Sequence, residues 1–136
     1  MTALIADRDT QQRGGLVFSY PAKAAKRFFV GAIAAIDGAN GFLTPGVASA
    51  TLKGAGIVQE QIDNTDGADG AIGVTIKRGL WRVANSAGAD QISLADVGNN
   101  CYIVDDQTVA KTDGGATRSI AGKVADVDSL GVWVEF

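Results

Sequence analysis

Three aspartates in one short loop have the residue types and the close spacing that could bind a metal ion. Asp63, Asp66 and Asp69 stand close to two glycines, and calcium favours carboxylate and carbonyl oxygens presented by a flexible loop. The pattern of a helix–loop–helix calcium site fails, because its closing glutamate position, counted from Asp63, falls on Val74. We interpret residues 63–70 as a connection between strands and predict neither a metal nor a cofactor.

Two adjacent aspartates, Asp105 and Asp106, could suggest an acid–base pair. Neighbouring residues of a strand point to opposite faces of a sheet, so the two carboxyl groups would not share a site. A carboxylate-based hydrolase would need Glu60 or Asp126 to face one of them across a cleft, and nothing in the sequence requires that arrangement. We interpret the pair as turn-forming residues.

The composition excludes most other kinds of catalytic site. The chain of 136 residues has no histidine and a single cysteine, Cys101, which excludes a Ser-His or Cys-His nucleophile pair, a histidine metal ligand and an internal disulfide. Cys101 lies in an apolar stretch and is interpreted as a small buried side chain. No apolar run approaches the length of a membrane helix, and the N-terminus lacks the order of a signal peptide. We therefore expect a soluble cytoplasmic product without enzymatic activity.

The elements that must position these residues are short strands separated by turns. Glycine accounts for 18 of the 136 residues, and Asp-Gly and Asn-Gly pairs, which favour tight turns, divide the chain. Ile72, Val74 and Ile76 alternate with small or polar residues, as in a half-buried strand. This pattern predicts an all-β fold, a single small β-barrel or jelly-roll-like sandwich of about eight or nine short strands.

Three segments depart from the strand pattern. Residues 1–20 are mostly polar and aperiodic, which predicts an extended N-terminal arm attached to a β-rich body of residues 21–136. Residues 21–27 begin with a proline and contain three alanines, and they favour at most one helical turn. Residues 93–98 have the serine, aspartate and glycine of a single capped turn.

Charge is distributed unevenly along the chain. Residues 1–36 carry five basic and two acidic side chains, whereas residues 37–136 carry seven basic and thirteen acidic ones. An acidic body argues against nucleic acid as the main ligand, because phosphate contacts need a basic face. A basic arm on an acidic body suits docking onto another protein, and a mobile arm without a role is an equal alternative. The basic candidates for partner binding are Arg8, Arg13, Lys23, Lys26 and Arg27.

The two tryptophans are the aromatic candidates for a contact with a partner. Trp81 and Trp133 lie in predicted strands, and the strand alternation points each of them to the face opposite to that of its apolar neighbours. Trp133, for example, is flanked by Val132 and Val134. Such a residue packs in a two-sided core or lies at an interface, where aromatic side chains contribute strongly to binding. The sequence leaves both alternatives open.

Several strand-forming stretches resemble one protein family. They are residues 73–79 (GVTIKRG), 95–106 (ADVGNNCYIVDD), 108–110 (TVA), 121–124 (AGKV) and 131–134 (GVWV). Together they resemble the small cement, or decoration, proteins encoded beside major capsid genes in tailed bacteriophages and prophages. The resemblance covers about residues 28–136 and consists of strand sequences without a catalytic signature.

The resemblance implies a virion protein that binds the outer surface of the phage head and stabilises contacts between major capsid subunits. It also implies a β-barrel or jelly-roll-like body, a dimer or trimer, and production in the host bacterial cytoplasm. No cofactor, enzymatic activity, nucleic-acid partner or membrane partner is implied. One alternative is another virion module, from the tail or fibre base, or a carbohydrate-binding β-sandwich. A carboxylate-based hydrolase is a third.

Overall fold

Two groups of strands, one from each half of the chain, make up the fold. The computed structural model describes residues 2–136, where regular structure consists of β-strands and two short 3-10 turns, Gly88–Asp90 and Leu94–Asp96. The strands are β1 (Val17–Pro21), β2 (Lys26–Phe28), β3 (Ile33–Asp37), β4 (Leu43–Pro45), β5 (Leu52–Val58), β6 (Ile62–Asn64), β7 (Gly73–Lys77), β8 (Leu80–Asn85), β9 (Asn100–Ile103), β10 (Thr108–Ala110), β11 (Ile120–Asp128) and β12 (Gly131–Glu135). The predicted all-β fold is confirmed. Among these residues no helix is long and apolar enough to span a bilayer.

The first group is an antiparallel sheet in the order β1–β7–β5–β3–β4. Strands β3 and β5 of this sheet are covered on both faces, which explains why the sequence after Phe28 is a continuous apolar run and does not alternate. Ile33 and Ile57 pack toward the second group of strands, whereas Ala34 and Val58 pack on the opposite side. That opposite side is covered by the β2–β6 ribbon, in which Phe28 is fully buried.

The second group closes into a five-stranded barrel in the order β10–β8–β12–β11–β9. β10 and β8 pair in parallel, and the other neighbours are antiparallel. Buried branched side chains, among them Val83, Ile103, Val124 and Val134, fill the interior, as expected for a barrel this small. The predicted small β-barrel is therefore present, joined to an open sheet.

The sheet and the barrel share one hydrophobic core. Leu52 and Ile57 of the sheet belong to the same buried cluster as Val124 of the barrel. Where β5 crosses β11, a Cβ atom at Gly54 would lie 2.0 Å from the carbonyl oxygen of Ala121. Only glycine fits this close approach of two backbones, so Gly54 is required for the packing of the two layers.

The chain contains more strands than the eight or nine predicted. β2 and β6 have three residues each, which is too short to show an alternating pattern. The helical turn predicted at residues 21–27 is wrong, because Ala22 forms a bridge with Leu43 and Lys26–Phe28 is β2. A reversal with Ala25 in the left-handed region, at a φ of 58°, separates them.

The capped turn predicted at residues 93–98 is confirmed as the second 3-10 turn. The Asp96 carboxylate accepts a hydrogen bond from the Ser93 N–H at 2.8 Å. Gly98 follows with a φ of 91°, a conformation that glycine adopts without steric cost. Gly98 therefore closes this turn, as the sequence predicts.

The boundary predicted at residue 20 lies inside a strand. Val17–Pro21 is β1, an edge strand that pairs with β7. The segment without regular structure is therefore residues 2–16, and each of these residues is exposed. We refer to residues 2–16 as the N-terminal segment.

Candidate partner-binding surface

Three turns that are distant in the sequence meet on one side of the protein and surround connected grooves. One groove of about 360 Å³ lies beside Phe29, Val30 and Gln107. A second, of about 230 Å³, shares Gln107 and extends to Leu130. A third, of about 380 Å³, shares Leu130 and continues to Asp128. We call the surface defined by Phe29, Val30, Gln107, Asp128 and Leu130 the groove face.

Exposed apolar side chains stand at two of these turns. Phe29 and Val30 are 52% and 65% exposed, and Leu130 is 72% exposed. The chain reverses after Phe29 and Val30 because Gly31 has a φ of 84°, a conformation that glycine adopts at little cost. A cluster of exposed apolar side chains rimmed by polar groups is typical of an interaction site.

Backbone hydrogen bonds to the barrel hold these turns together. The Ile33 N–H donates to the carbonyl of Asp106 at 2.7 Å, which joins β3 to the β9–β10 turn. The Ala84 N–H donates to the carbonyl of Gln107 at 2.8 Å, which joins the same turn to β8. The groove face is therefore positioned by the strand framework.

Trp133 lies beside the groove face in a polar setting. Its indole Nε1 donates to Asp128 Oδ2 at 2.9 Å, and the Arg82 guanidinium carbon lies 5.7 Å from its ring centroid. The hydrogen bond from Trp133, followed by that from the Leu130 N–H, holds the pKa of Asp128 below its ordinary value. Trp133 is half-buried and points away from the core, as its phase predicted.

The phase predicted for Trp81 is wrong. Trp81 shares a face of β8 with the buried Val83 and packs against the barrel core. Its Nε1 donates to the carbonyl of Arg78 at 3.3 Å. The error arises from Leu80, an apolar residue that is 54% exposed and reverses the apparent phase. Trp81 is thus mainly a packing residue, one of the two alternatives that the sequence left open.

The basic candidates differ in their surroundings. Lys23 is engaged by Asp69, since its Nζ lies 3.0 Å from Oδ1. Lys26 and Arg27 are exposed on β2, and the Arg27 guanidinium carbon lies 5.1 Å from the ring centroid of Phe29. Arg27 therefore adds a positive charge next to the groove face.

The N-terminal segment is not basic. Its two arginines, Arg8 and Arg13, are matched by Asp7 and Asp9, so its side-chain charges cancel. The positive charge of residues 1–36 comes instead from the lysines and arginine between β1 and β3. The interpretation of a basic arm on an acidic body is therefore wrong for residues 2–16.

Two of the three loop aspartates considered for metal binding accept hydrogen bonds from the protein itself. Asp63 accepts hydrogen bonds from the hydroxyl and the N–H of Thr65, and both lower the pKa of Asp63. Asp69 accepts a hydrogen bond from the Ala24 N–H at 2.8 Å, which is the main reason its pKa is lowered. Within residues 2–136, no group of three or more His, Cys, Asp or Glu side chains is placed to hold a metal ion.

Asp105 and Asp106 lie in the turn between β9 and β10. Asp105 Oδ1 accepts a hydrogen bond from the Gln107 N–H at 2.9 Å, which is a typical turn-forming contact. Their interpretation as turn-forming residues is confirmed.

Cys101 is a buried thiol in the barrel wall. Its Sγ lies 3.5 Å from the carbonyl oxygen of Gly122, and burial raises its pKa to about 11. A thiol with so high a pKa is a weak nucleophile at neutral pH. Cys101 is the small core side chain that the sequence predicted.

A further groove, of about 600 Å³, lies between β5 and β11. Its most buried charge is Arg118, whose Nη1 lies 3.2 Å from Asp90 Oδ2 and also donates to the carbonyl of Thr112. Because that guanidinium is already neutralised by a carboxylate, the groove presents a weaker attraction to an anionic ligand than its lining residues suggest.

The residues of the groove face were missed in the sequence. Phe29 and Val30 extend an apolar run, and Leu130 lies in a turn between two apolar strands. Apolar residues in such places are usually core residues. The one available signal was Gly31, which interrupts the run at the point where the chain reverses.

Comparison with known proteins adds no relative to this description. Comparison of the chain with protein-family models, with curated proteins and with solved structures gave no match. The surfaces described above and the resemblance of the strand sequences therefore carry the functional proposal.

Proposed function

We propose that the protein is a structural virion protein, a cement protein that binds the outer surface of a tailed-phage head and stabilises contacts between major capsid subunits. The resemblance over residues 28–136 supports this proposal. The observation that carries it is the groove face, where Phe29, Val30 and Leu130 are exposed on turns that the strand framework holds in place.

The fold suits a protein that must hold other subunits together. The shared core of sheet and barrel makes a stiff body, because protein interiors are close-packed and transmit strain. Binding to a repeating lattice at more than one point also raises the effective affinity of each modest contact. The joined sheet and barrel meet the first requirement, and the groove face, which is built from three separate turns, offers several points of contact for the second.

The groove face fits a protein surface with apolar recesses. Phe29, Val30 and Leu130 would supply apolar contact, and the Gln107 amide, at the shared wall of two grooves, can bond to peptide groups. Complete burial of a valine or leucine side chain contributes about 1.5–3 kcal/mol. A charged group at the same position would remove that contribution and add a desolvation cost.

Sedimentation with phage heads tests the proposal. Expanded heads that lack the protein are mixed with increasing amounts of it, and the copies that sediment are counted. We expect saturation at a fixed number of copies per head. Val30→Asp and Leu130→Asp should each raise the Kd at least about tenfold, which corresponds to roughly 1.4 kcal/mol.

Leu94→Asp is the matched control. Leu94 is 67% exposed and lines none of the three grooves, so its replacement should leave head binding unchanged. An equal loss of binding for Leu94→Asp would refute the role of the groove face. Absence of binding to intact heads, with binding to glycans instead, would favour a carbohydrate-binding module.

A further inference from the structure

Strand β1 is an edge of the sheet, and its outer side has no partner strand among residues 2–136. The carbonyl of Leu16 accepts a hydrogen bond at 2.7 Å from the N–H of Arg78, the residue that directly follows β7. Since alternate residues of an antiparallel strand bond to the same neighbour, the even-numbered residues of β1 face β7. Val17 and Ser19 therefore direct their N–H and C=O groups outward.

This edge lacks the protection that edge strands usually carry. β1 contains no charged side chain, and Val17 is 56% exposed. Charged side chains, bulges and prolines are the common means of preventing strand addition. Only Pro21, which has no N–H, limits pairing, and it stands at the end of the strand. An additional strand can therefore pair along Val17 and Ser19.

Two arginines beside this edge lack a carboxylate partner. The guanidinium carbons of Arg13 and Arg78 lie 5.0 Å and 5.1 Å from the ring centroid of Phe18 on β1, so they are at most about 10 Å apart. Neither takes part in an ion pair formed within the described residues. The Nε of Arg78 is buried without a hydrogen-bond partner. The edge is therefore suited to a strand that brings acidic side chains.

The N-terminal segment of a second copy has that chemistry. Asp7 and Asp9 are two residues apart, so they lie on one side of an extended strand. Nearby, Ile5 is 96% exposed, and the segment forms no strand with its own β1. Residues 2–12 can span roughly 35 Å when extended, enough to reach across a neighbouring copy.

We propose that the N-terminal segment of one copy adds as a strand to the outer edge of β1 in a second copy, with Asp7 and Asp9 facing Arg13 and Arg78. A two-fold arrangement would make the exchange reciprocal, because each copy offers both the segment and the edge. The exchange covers the exposed edge and supplies the two arginines with acidic partners.

Sedimentation velocity over a range of protein concentrations tests this self-association. Wild-type protein should form a dimer, and a chain that lacks residues 2–12 should be a monomer. Asp7→Asn combined with Asp9→Asn should raise the dimer Kd at least tenfold, and added salt should act in the same direction. The matched control combines Asp66→Asn with Asp106→Asn, which removes the same charge elsewhere and should leave the Kd unchanged.

Ser19→Pro tests the backbone pairing separately. It removes an N–H that points away from β7, whereas Ser19→Ala keeps that N–H, so only the proline variant should lose the dimer. If the proline variant unfolds, the aspartate variants decide the question. A wild-type protein that stays monomeric at every concentration, or a dimer that survives removal of residues 2–12, would overturn the proposal. No phage heads are needed, so the outcome is independent of the proposed function.

Discussion

Replacing Ser119 with alanine is expected to destabilise the whole protein, because the Ser119 hydroxyl joins the sheet to the barrel. The hydroxyl accepts a hydrogen bond from the Leu52 N–H at 2.9 Å and donates one to the carbonyl of Ser49. Ser119 and Leu52 are both 6% exposed, so water cannot take the place of the hydroxyl. In Ser119→Ala the Leu52 N–H would stay buried without an acceptor, whereas Ser49 is partly exposed and can be hydrated.

The expected loss follows from that unsatisfied N–H. A buried donor without an acceptor costs about 1–3 kcal/mol, so we expect the free energy of unfolding to fall by about 2 kcal/mol. With an unfolding entropy of about 2.1 cal/mol/K per residue, a chain of 136 residues would lose about 7 °C in Tm. The control is Ser129→Ala, an exposed position, which should change stability by less than about 0.5 kcal/mol.

Chemical denaturation followed by two probes measures this effect. Tryptophan fluorescence reports on the barrel, since Trp81 and Trp133 lie on β8 and β12, and far-ultraviolet circular dichroism reports on both groups of strands. The shared core predicts one coincident transition, displaced to lower denaturant in Ser119→Ala. Unchanged stability of this variant would refute the role of the hydroxyl, and separate transitions would refute the single core.

Two further predictions concern titratable groups. At about pH 8, a thiol reagent should modify Cys101 far more slowly in the folded protein than in denaturant, because its pKa is raised to about 11 in a buried site; equal rates would contradict the burial. The free energy of unfolding should decrease as the pH is lowered below about 4. Aspartates whose pKa is lowered by folding stabilise the protein at pH values above their unfolded-state pKa. They lose this contribution as the pH falls through their folded-state pKa. A denaturation midpoint that stays constant to about pH 3 would contradict this reasoning. The aspartates concerned are Asp37, Asp63, Asp69, Asp90 and Asp128.

The strands that could be predicted are those with one face buried and one exposed. Val74 and Ile76 of β7 alternate with partly exposed residues, and this period of two is visible in the sequence. β3 lies between two layers and is apolar on both faces, so its pattern marks a buried segment without giving its bounds. β2 and β6 are held by pairing with each other and by the burial of Phe28, which are properties of the folded chain.

The sequence predicts the orientation of a side chain on the candidate surface only where the residues next to it show whether it points to the core. Trp133 was placed correctly because its two valine neighbours are both buried. Trp81 was misplaced because the exposed Leu80 resembles a core residue. The groove face depends on contacts between residues far apart in the sequence, such as the hydrogen bond from the Ile33 N–H to the carbonyl of Asp106. No local pattern contains that information.

The position of the groove face links binding to the integrity of the fold. Phe29 and Val30 belong to the turn that enters the sheet, whereas Gln107 and Leu130 belong to turns of the barrel. A partner that contacts all three turns binds both layers at once, and it binds only while the layers are docked. Because a ligand stabilises the state that it binds, occupation of this surface would oppose the separation of sheet and barrel. A cement protein, as proposed above, would gain from that coupling, because the free energy of binding to the lattice would also oppose the separation of its own two layers.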